Sequence, residues 1–209
     1  MMEINTFVDE LPHKLKIEVS LYIYEERYKN IIFFQGKSPS FISWLCPLLQ
    51  PQMFGDKQYI YLEGDEISTI CFMISGNAQF VLPAFENVGY IDIKIGNVFG
   101  IIDIIGSAQS KDIDFKDWFQ NKQLLQRQFS IMATSQVEVQ FLSLKDLNRM
   151  EIEFYDYYQD LIANRLNFLR NCLTIKLSAI NHCSMTQKKA VVDKLKKNQM
   201  KKDKRKLLL

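Results

Sequence analysis

A row of short strand patterns, separated by turns that contain glycine, constrains the fold of this sequence most. Strand patterns occupy residues 58–62, 69–75, 78–82 and 90–95, and three of the turns that follow contain Gly64, Gly76 and Gly96. The strand pattern resumes over residues 128–133 and 137–144. Short strands at this spacing are typical of an antiparallel barrel or sandwich, so we expect antiparallel β-structure at the centre of the chain.

Helical patterns flank these strands on both sides. Leu11-Pro12 begins an amphipathic segment, one helix or two, that runs to about Lys29, and Ser38-Pro39 begins another helix. From Leu147 onward, a long helical pattern places apolar residues on one face. They are Phe154, Tyr158, Leu161, Ile162, Leu166, Leu169 and Leu173. A chain of 209 residues can form one domain with a sizeable core plus peripheral helices, which predicts a mixed α+β fold.

The charge is distributed unevenly along the chain. The net charge is +2, but the segment 186–209 contains ten Lys or Arg and two Asp, so this segment carries +8 and the rest carries −6. A solvated or mobile basic segment is the simplest interpretation. The alternative is contact with acidic lipid or an acidic partner through this segment.

The sequence lacks the patterns of several other protein classes. It contains no run of about 18 apolar residues and no signal peptide, so we expect a cytoplasmic location. The four cysteines form no Cys-x-x-Cys pair and only two histidines are present, which favours free buried thiols and no metal site. No catalytic set or nucleotide-triphosphate loop is recognisable, so we expect neither an enzyme nor a cofactor.

The segment from Gly96 to Ile105 is the strongest candidate for a binding site. Its glycines, Gly96 and Gly100, bracket a tight apolar turn, so backbone N–H groups have room to point towards an anion. Such a site needs a cation nearby, and Arg127 is the candidate. Arg127 could equally be a surface residue at the start of a strand, and the glycines could serve the turn alone.

Several motifs occur in an order that resembles a known family. The first motifs in the chain are Leu11-Pro12 and Ile31-Ile32-Phe33-Phe34. They are followed by Tyr59-x-x-x-Glu63-Gly64-Asp65, by the run from Cys71 to Ala78, and by Gly96-Asn97-Val98-Phe99-Gly100. This order resembles the cyclic nucleotide-binding domain, in the form found behind the pore of voltage-gated potassium channels and cyclic-nucleotide-gated channels. In those channels a helical linker that begins with Leu-Pro precedes the domain. The resemblance covers roughly residues 7–176.

The resemblance implies an eight-stranded jelly-roll barrel, also called a β-roll, flanked by N-terminal linker helices and a C-terminal lid helix. The lid would lie within residues 150–176, with Leu166, Leu169, Arg170 and Leu173 as candidates for contact with a ligand. The implied organisation is a helical linker over 1–37, a cyclic nucleotide-binding-like domain over 38–176 with an insert at 106–126, and a basic tail over 177–209.

The resemblance also identifies a phosphate cassette, here residues 99–105 and 127–131. It implies ligand contacts from Phe99, Gly100, Ile102, Arg127 and Ser130. Ile101 stands where the family has a glutamate that binds the ribose 2′-hydroxyl, and an apolar side chain cannot accept that hydrogen bond. Gln128 and Phe129 replace small residues, and the Phe129 ring could fill the volume of the ligand.

The sequence therefore predicts a regulatory domain that resembles the cytoplasmic part of a potassium channel and has a degenerate cassette. The possible ligand is cAMP or cGMP, and channel subunits could bind through the N-terminal helices at the cytoplasmic face of a membrane. The alternative is a nucleotide-independent interaction or assembly module, which docks through those helices or the insert. No nucleic acid partner is expected.

Overall fold

Two four-stranded antiparallel sheets form the centre of the molecule in a computed structural model that describes residues 11–110, 125–163 and 165–206. The strand order is β1-β8-β3-β6 in one sheet and β2-β7-β4-β5 in the other. The strands are β1 (Gln50–Phe54), β2 (Tyr59–Tyr61), β3 (Thr69–Ser75), β4 (Ala78–Leu82), β5 (Val88–Ile93), β6 (Val98–Phe99), β7 (Ser130–Ala133) and β8 (Val137–Ser143). The expectation of antiparallel β-structure is confirmed, but a closed barrel is wrong, because the strands pair as two separate sheets.

The central strands follow the sequence pattern closely. Strand β3 begins at Thr69 and ends at Ser75, as predicted, and its middle residues are buried because it lies between β8 and β6. Strand β1 was not predicted from the sequence because it contains Pro51, which cannot donate a ladder hydrogen bond. Its place at the edge of the sheet explains how the proline is tolerated.

Six α-helices flank the sheets in the described part of the chain. They are α1 (His13–Tyr28), α2 (Pro39–Leu45), α3 (Ile101–Ser110), α4 (Leu144–Glu153), α5 (Tyr155–Ile162) and α6 (Arg165–Lys206), and short 3₁₀ turns occupy Ile32–Phe34, Cys46–Leu48 and Pro83–Phe85. The predicted N-cap of α2 is confirmed, since the Ser38 hydroxyl accepts a hydrogen bond from the Phe41 N–H at 3.3 Å. The helical segment predicted from Leu11 to about Lys29 is one helix, α1.

The C-terminal helical pattern is divided into three helices. A single helix through residues 150–176 is wrong, because Phe154 has φ −139° and ψ 53° between α4 and α5, and Ala163 has ψ 135° after α5. The predicted boundary between domain and tail at residue 176 falls inside α6, which continues to Lys206. Within the predicted insert, residues 106–110 belong to α3, and residues 111–124 lie outside the described part of the chain.

An aromatic cluster attaches the N-terminal linker to the sheets. Ile31 and Phe34 are buried as predicted, whereas Ile32 is 55% exposed. The Phe34 ring stacks on Phe72 of β3 with a centroid distance of 6.0 Å. The linker is therefore packed against the sheet that contains β3 and β6, and β6 is the strand that follows the Gly96 turn.

The four cysteines are free thiols, as the sequence predicted. Cys46, Cys71 and Cys172 are buried as predicted, whereas Cys183 is partly exposed, so its predicted burial is wrong. Among the described residues, no helix combines the length and the apolar character that crossing a membrane requires.

Candidate anion-binding site

The cassette begins as a short strand that turns sharply into a helix. Strand β6 ends at Phe99, Gly100 follows with φ +88°, and α3 begins at Ile101. A Cβ atom at Gly100 would lie 2.7 Å from an Arg127 Nη1 atom. Glycine is therefore required at this position both for its backbone conformation and for the close approach of the guanidinium.

Arg127 is buried against this turn. Its side chain is only 3% exposed, and its Nη2 donates a hydrogen bond to the Thr69 carbonyl at 2.7 Å. Its Nη1 donates to the Gly100 carbonyl at 3.3 Å, and the guanidinium carbon lies 4.0 Å from the centroid of the Tyr61 ring. Arg127 therefore lies at the cassette, and its alternative placement as a surface residue is wrong.

Asp103 of α3 is the charge partner of Arg127. Its carboxylate Oδ2 lies 3.5 Å from Arg127 Nη1 and accepts a hydrogen bond from the Tyr61 hydroxyl at 2.9 Å. The other oxygen, Oδ1, accepts from the backbone N–H groups of Gln128 at 2.7 Å and Phe129 at 3.2 Å. The Asp103 side chain is fully buried, so this carboxylate is satisfied entirely by the protein.

The electrostatics of the cluster follow from its burial. Burial raises the pKa of the Asp103 carboxyl, while the Arg127 guanidinium and the hydrogen bonds from Gln128, Tyr61 and Phe129 oppose this rise. Burial also raises the pKa of the Tyr61 hydroxyl well above its ordinary value, and the neighbouring Asp103 adds to this effect. Tyr61 therefore stays protonated at neutral pH and acts as a hydrogen-bond donor.

The other predicted contact residues belong to the core around this cluster. Phe99, Ile102 and Ser130 are all buried, and the Phe99 ring lies 6.3 Å from the Tyr61 ring. The Ser130 hydroxyl accepts a hydrogen bond from the Glu63 N–H at 2.9 Å, so it holds the turn after β2. The structure brings Gly100 and Arg127 into direct contact, and it places Phe99, Ile102 and Ser130 nearby as packing or turn residues.

The predicted Glu63-Gly64-Asp65 turn supports Arg127 from the main chain. The Arg127 N–H donates to the Asp65 carbonyl at 2.8 Å, and the Gly64 N–H donates to the Arg127 carbonyl at 2.8 Å. Gly64 has φ +92°, a conformation that favours glycine. The turn fixes the backbone of Arg127, and its side chain is then fixed by Thr69, Gly100 and Asp103.

Phe129 and Lys176 close the other side of the cassette. The Phe129 ring is fully buried and packs edge-on against Phe80 at 5.4 Å. Lys176 of α6 donates to the Gln128 carbonyl at 2.8 Å and to Glu63 Oε2 at 2.7 Å, with its Nζ 5.3 Å from the centre of the Phe129 ring. The C-terminal helix is therefore fastened to the cassette by one lysine.

The predicted lid residues differ in their burial. Leu169 is buried at 2% exposure, whereas Leu166 and Leu173 are 41% and 36% exposed, and Arg170 is exposed. Lys176 lies at the last position of the predicted lid, but the apolar pattern of the helix gave no reason to single it out. Leu169 is thus the predicted lid residue that packs in the core, and Lys176 is an α6 residue that contacts the cassette.

Sequence reasoning also missed Asp103 as part of the site. The available signal was an acidic residue alone in the apolar run Ile101 to Ile105, where a helix packed on both sides must bury it. A buried carboxylate requires a cation or several donors, and Arg127 was already a candidate. Among the described residues, no cluster of His, Cys, Asp and Glu has the form of a metal site.

An open cleft of about 250 Å³ adjoins the cluster between the two sheets. Its lining includes Arg127, Tyr61, Thr69 and Gln52. Within the described part of the chain, Arg127 Nε is buried and has no hydrogen-bond partner. The guanidinium is thus held through its two terminal nitrogens, while Nε is a buried donor without a partner among the described residues.

Comparisons with known proteins identify the fold. No model of a protein family matches the chain, and a search of curated protein sequences gives no match either. Solved structures do match. A putative cyclic nucleotide-binding protein from Geobacter metallireducens GS-15 is similar with a TM-score of 0.50 and 15% identity, over 68% of this chain and 92% of that one.

The structure of cAMP-bound PfPKA-R (141–441) is similar with a TM-score of 0.53 and 19% identity, over 75% of this chain and 48% of that one. This chain thus spans about half of that structure. At these identities the likeness shows the fold alone. The two sheets and their flanking helices have the fold of cyclic nucleotide-binding proteins, which confirms the resemblance at that level, while the channel-type form stays a prediction.

Proposed function

We propose that this chain is a regulatory domain of the cyclic nucleotide-binding type, in which an anion at the cassette fixes the position of α6. The observation that carries the proposal is the convergence of three donors, the Arg127 guanidinium and the N–H groups of Gln128 and Phe129, on one anion position. A cyclic phosphate carries one negative charge and fits such a donor set. The ligand candidates are cAMP and cGMP.

We expect the affinity for either nucleotide to be low. Ile101 is buried and offers no acceptor for the ribose 2′-hydroxyl. A hydrogen bond to a charged partner contributes about 1.5–3 kcal/mol, so its absence weakens binding by about tenfold to a hundredfold. The buried Phe129 ring adds a steric cost, because it fills space beside the cassette.

Helix α6 is the element that would transmit the state of the cassette. Lys176 donates a hydrogen bond to the carbonyl of Gln128, and the N–H of Gln128 faces the anion position. Movement of Gln128 therefore alters the hydrogen bond that attaches α6 to the cassette. Helix α5, which precedes α6, contacts the end of the linker, since Lys37 forms an ion pair with Asp160. A ligand shifts the equilibrium between the open and closed positions of α6 only if it binds the two forms with different affinity.

A second candidate function is a nucleotide-independent interaction or assembly module. It is favoured by helix α1, which exposes apolar side chains: Leu15 is 45%, Tyr22 is 83% and Ile23 is 37% exposed. Exposed apolar residues on one linker helix suit contact with another protein, and subunits of a potassium channel are the partners that the motif order suggests. The channel context and a position at the cytoplasmic face of a membrane belong to this proposal.

Contact with acidic lipid or an acidic partner through the basic segment is a further part of the proposal. Helix α6 continues to Lys206, and the ten Lys or Arg of residues 186–209 all lie within its described length. Sedimentation with vesicles that contain acidic lipid, compared with neutral vesicles, tests this contact. Equal sedimentation with both kinds of vesicle would remove lipid from the proposal.

The main test is isothermal titration calorimetry of the purified chain with cAMP and cGMP. We expect saturable but weak binding, in the high micromolar to millimolar range, that Arg127→Ala abolishes. Arg149→Ala is the matched control, because Arg149 is half-exposed and contacts Asp146, Glu153 and the Trp44 ring rather than the cassette. Absence of binding by the unmodified chain at millimolar nucleotide would favour the interaction module over nucleotide regulation.

A further inference from the structure

We infer that Asp103 is a built-in anion ligand of the cassette, which occupies the position that the phosphate of a cyclic nucleotide would take. This inference rests on the proposed function, and it concerns the regulation of the same site. It identifies the competitor that any nucleotide must displace.

The first argument is the identity of the donors. Asp103 Oδ1 accepts from two successive backbone N–H groups, those of Gln128 and Phe129, at 2.7 and 3.2 Å. Successive N–H groups that converge on one oxygen form a concave anion-binding arrangement in many proteins. The second oxygen, Oδ2, forms an ion pair with Arg127 at 3.5 Å and accepts a hydrogen bond from the Tyr61 hydroxyl at 2.9 Å. One carboxylate thus receives the full set of contacts that an oxyanion ligand requires.

The second argument is the charge balance. Arg127 and Asp103 are the charged groups that meet in this cluster, and their side chains are 3% and 0% exposed. One buried positive charge is therefore neutralised by one buried negative charge. A phosphate that entered while Asp103 stayed in place would add an uncompensated negative charge at low dielectric, which is strongly unfavourable. Nucleotide and Asp103 must consequently exclude each other.

The third argument is the position of Asp103 on the cassette itself. It lies in the first turn of α3, three residues after Gly100, and α3 is the helix that the Gly100 turn positions. Displacing the carboxylate therefore requires movement of α3 or rotation of the Asp103 side chain away from β7. Either change releases the N–H groups of Gln128 and Phe129, and the Gln128 carbonyl holds Lys176 of α6. The built-in ligand is thereby coupled to the lid.

The inference is tested with Asp103→Ala, which vacates the position, and Asp103→Asn, which keeps the shape and removes the charge. The probes are inorganic phosphate and cAMP, measured by calorimetry and by thermal melting. Asp92→Asn is the control, since Asp92 is an exposed strand residue that accepts from Gln79 at 2.7 Å. The double variant Asp103→Ala with Arg127→Ala tests whether any new binding uses the same guanidinium.

We expect Asp103→Ala to bind phosphate or cAMP at least about a hundredfold more tightly than the unmodified chain, and the double variant to lose this gain. We also expect phosphate to raise the melting temperature of Asp103→Ala but not that of the unmodified chain or Asp92→Asn. If Asp103→Ala folds only when phosphate is present, the rescue supports the inference. If both Asp103 variants bind phosphate and cAMP no better than the unmodified chain, and phosphate rescues neither, the inference is overturned.

The outcomes separate this inference from the proposed function. Equal cAMP binding by the unmodified chain and by Asp103→Ala would overturn the built-in ligand and leave nucleotide regulation in place. A gain of phosphate binding without any cAMP binding would support the built-in ligand and count against nucleotide regulation. Stable Asp103 variants that bind neither probe would count against both.

Discussion

At the scale of single residues, Arg127 and Asp103 form an ion pair whose two side chains are both buried. Burying the Arg127 and Asp103 charges costs several kcal/mol each, and the pair is favourable only because the remaining donors and acceptors are satisfied. Tyr61, Gln128 and Phe129 donate to the carboxylate, while Thr69 and Gly100 accept from the guanidinium. Removing one charge leaves the other uncompensated in the core.

We expect Arg127→Met to lower the free energy of unfolding by about 3–5 kcal/mol, because Asp103 then remains buried without its cation. Urea unfolding monitored by circular dichroism measures this change. Arg149→Met is the matched control and should cost less than about 1 kcal/mol, since its ion pairs are on the surface. Adding Asp103→Asn to Arg127→Met should recover part of the loss; a strictly additive double variant would show that the two residues are not coupled.

A buried thiol next to this pair gives the molecule a defined alkaline sensitivity. Burial raises the pKa of the Cys71 thiol to about 12, whereas its ordinary value is 9.0. Between these two values the unfolded chain loses a proton that the native chain keeps, so stability falls as the pH rises. The stabilising contribution is fully present below about pH 9 and is lost progressively above it.

We expect Cys71→Ala to weaken the dependence of stability on pH between about 9 and 12 by about 1.4 kcal/mol per pH unit, the contribution of one proton. Urea unfolding at pH 8, 9, 9.5 and 10 measures the slope. Cys172, whose thiol pKa burial raises to about 11, acts in the same direction, so some slope remains in the variant. Identical slopes for both proteins above pH 9 would contradict the predicted role of Cys71.

At the scale of elements, the strands were more predictable than the site. Strands β3 and β4 begin and end where the pattern predicts, because Gly64 and Gly76 bound the apolar run of β3, and Gly76 and Pro83 bound that of β4. Strand β6 was missed since it has only two residues, Val98 and Phe99, and its identity depends on pairing with β3. Sheet closure also depends on such distant pairing, which no local pattern encodes.

The ends of the C-terminal helices also could not be predicted from the local sequence pattern. The apolar period predicted one continuous C-terminal helix, because Phe154 and Leu161 fit a helical face whether or not the chain breaks between α4, α5 and α6. The sequence therefore identified which residues are apolar partners of the core but not where the helix changes direction. In the cassette, the Arg127 and Gly100 contact was predicted from motif order, whereas the Asp103 contact requires the register between α3 and β7.

The attachment of α6 to the cassette can be tested with one substitution. We expect Lys176→Met to lower the free energy of unfolding by about 1–2 kcal/mol, because the Gln128 carbonyl and Glu63 each lose a charge-assisted hydrogen bond. Hydrogen exchange of α6 should accelerate more than exchange of β3. Lys188→Met, an exposed lysine on the same helix, is the control and should change neither quantity.

Accelerated exchange restricted to the last turns of α6 would contradict the role of Lys176 as the fastening. The same would follow if Lys188→Met and Lys176→Met were equally destabilising. The comparison matters because both variants remove one positive charge from α6 and keep a long apolar stem. Only the contacts with the cassette distinguish the two positions.

At the scale of the whole molecule, the two ends of the domain meet at one place. The aromatic side chains of the linker, the sheet and α5 form a continuous cluster, in which the Phe41 and Tyr157 rings lie 4.5 Å apart. Lys37 of the linker forms an ion pair with Asp160 of α5, and its Nζ lies 4.9 Å from the Tyr157 ring centre. A change at the cassette that moves α6 therefore acts next to the helix that contacts the linker.

Replacing residues 111–124 tests whether a docking function can be removed without loss of the fold. The flanks of this segment are fixed in the fold, because the Gln126 N–H donates to the Ser107 hydroxyl at 3.1 Å and Leu125 is buried. Since residues 107 and 126 are in contact, a short Gly/Ser linker can replace residues 111–124, and loop length affects closure entropy only weakly. We expect the melting temperature to change by less than about 5 °C, which corresponds to less than about 1–2 kcal/mol.

The replacement also discriminates between the two proposed functions. If the domain regulates through its cassette, the variant should keep whatever nucleotide or phosphate binding the unmodified chain has, because Arg127 and Asp103 remain in place. If docking depends on residues 111–124, the variant should lose partner binding while circular dichroism and melting stay unchanged. A variant that unfolds would show that the segment contributes to the core, and would contradict its separability from the fold.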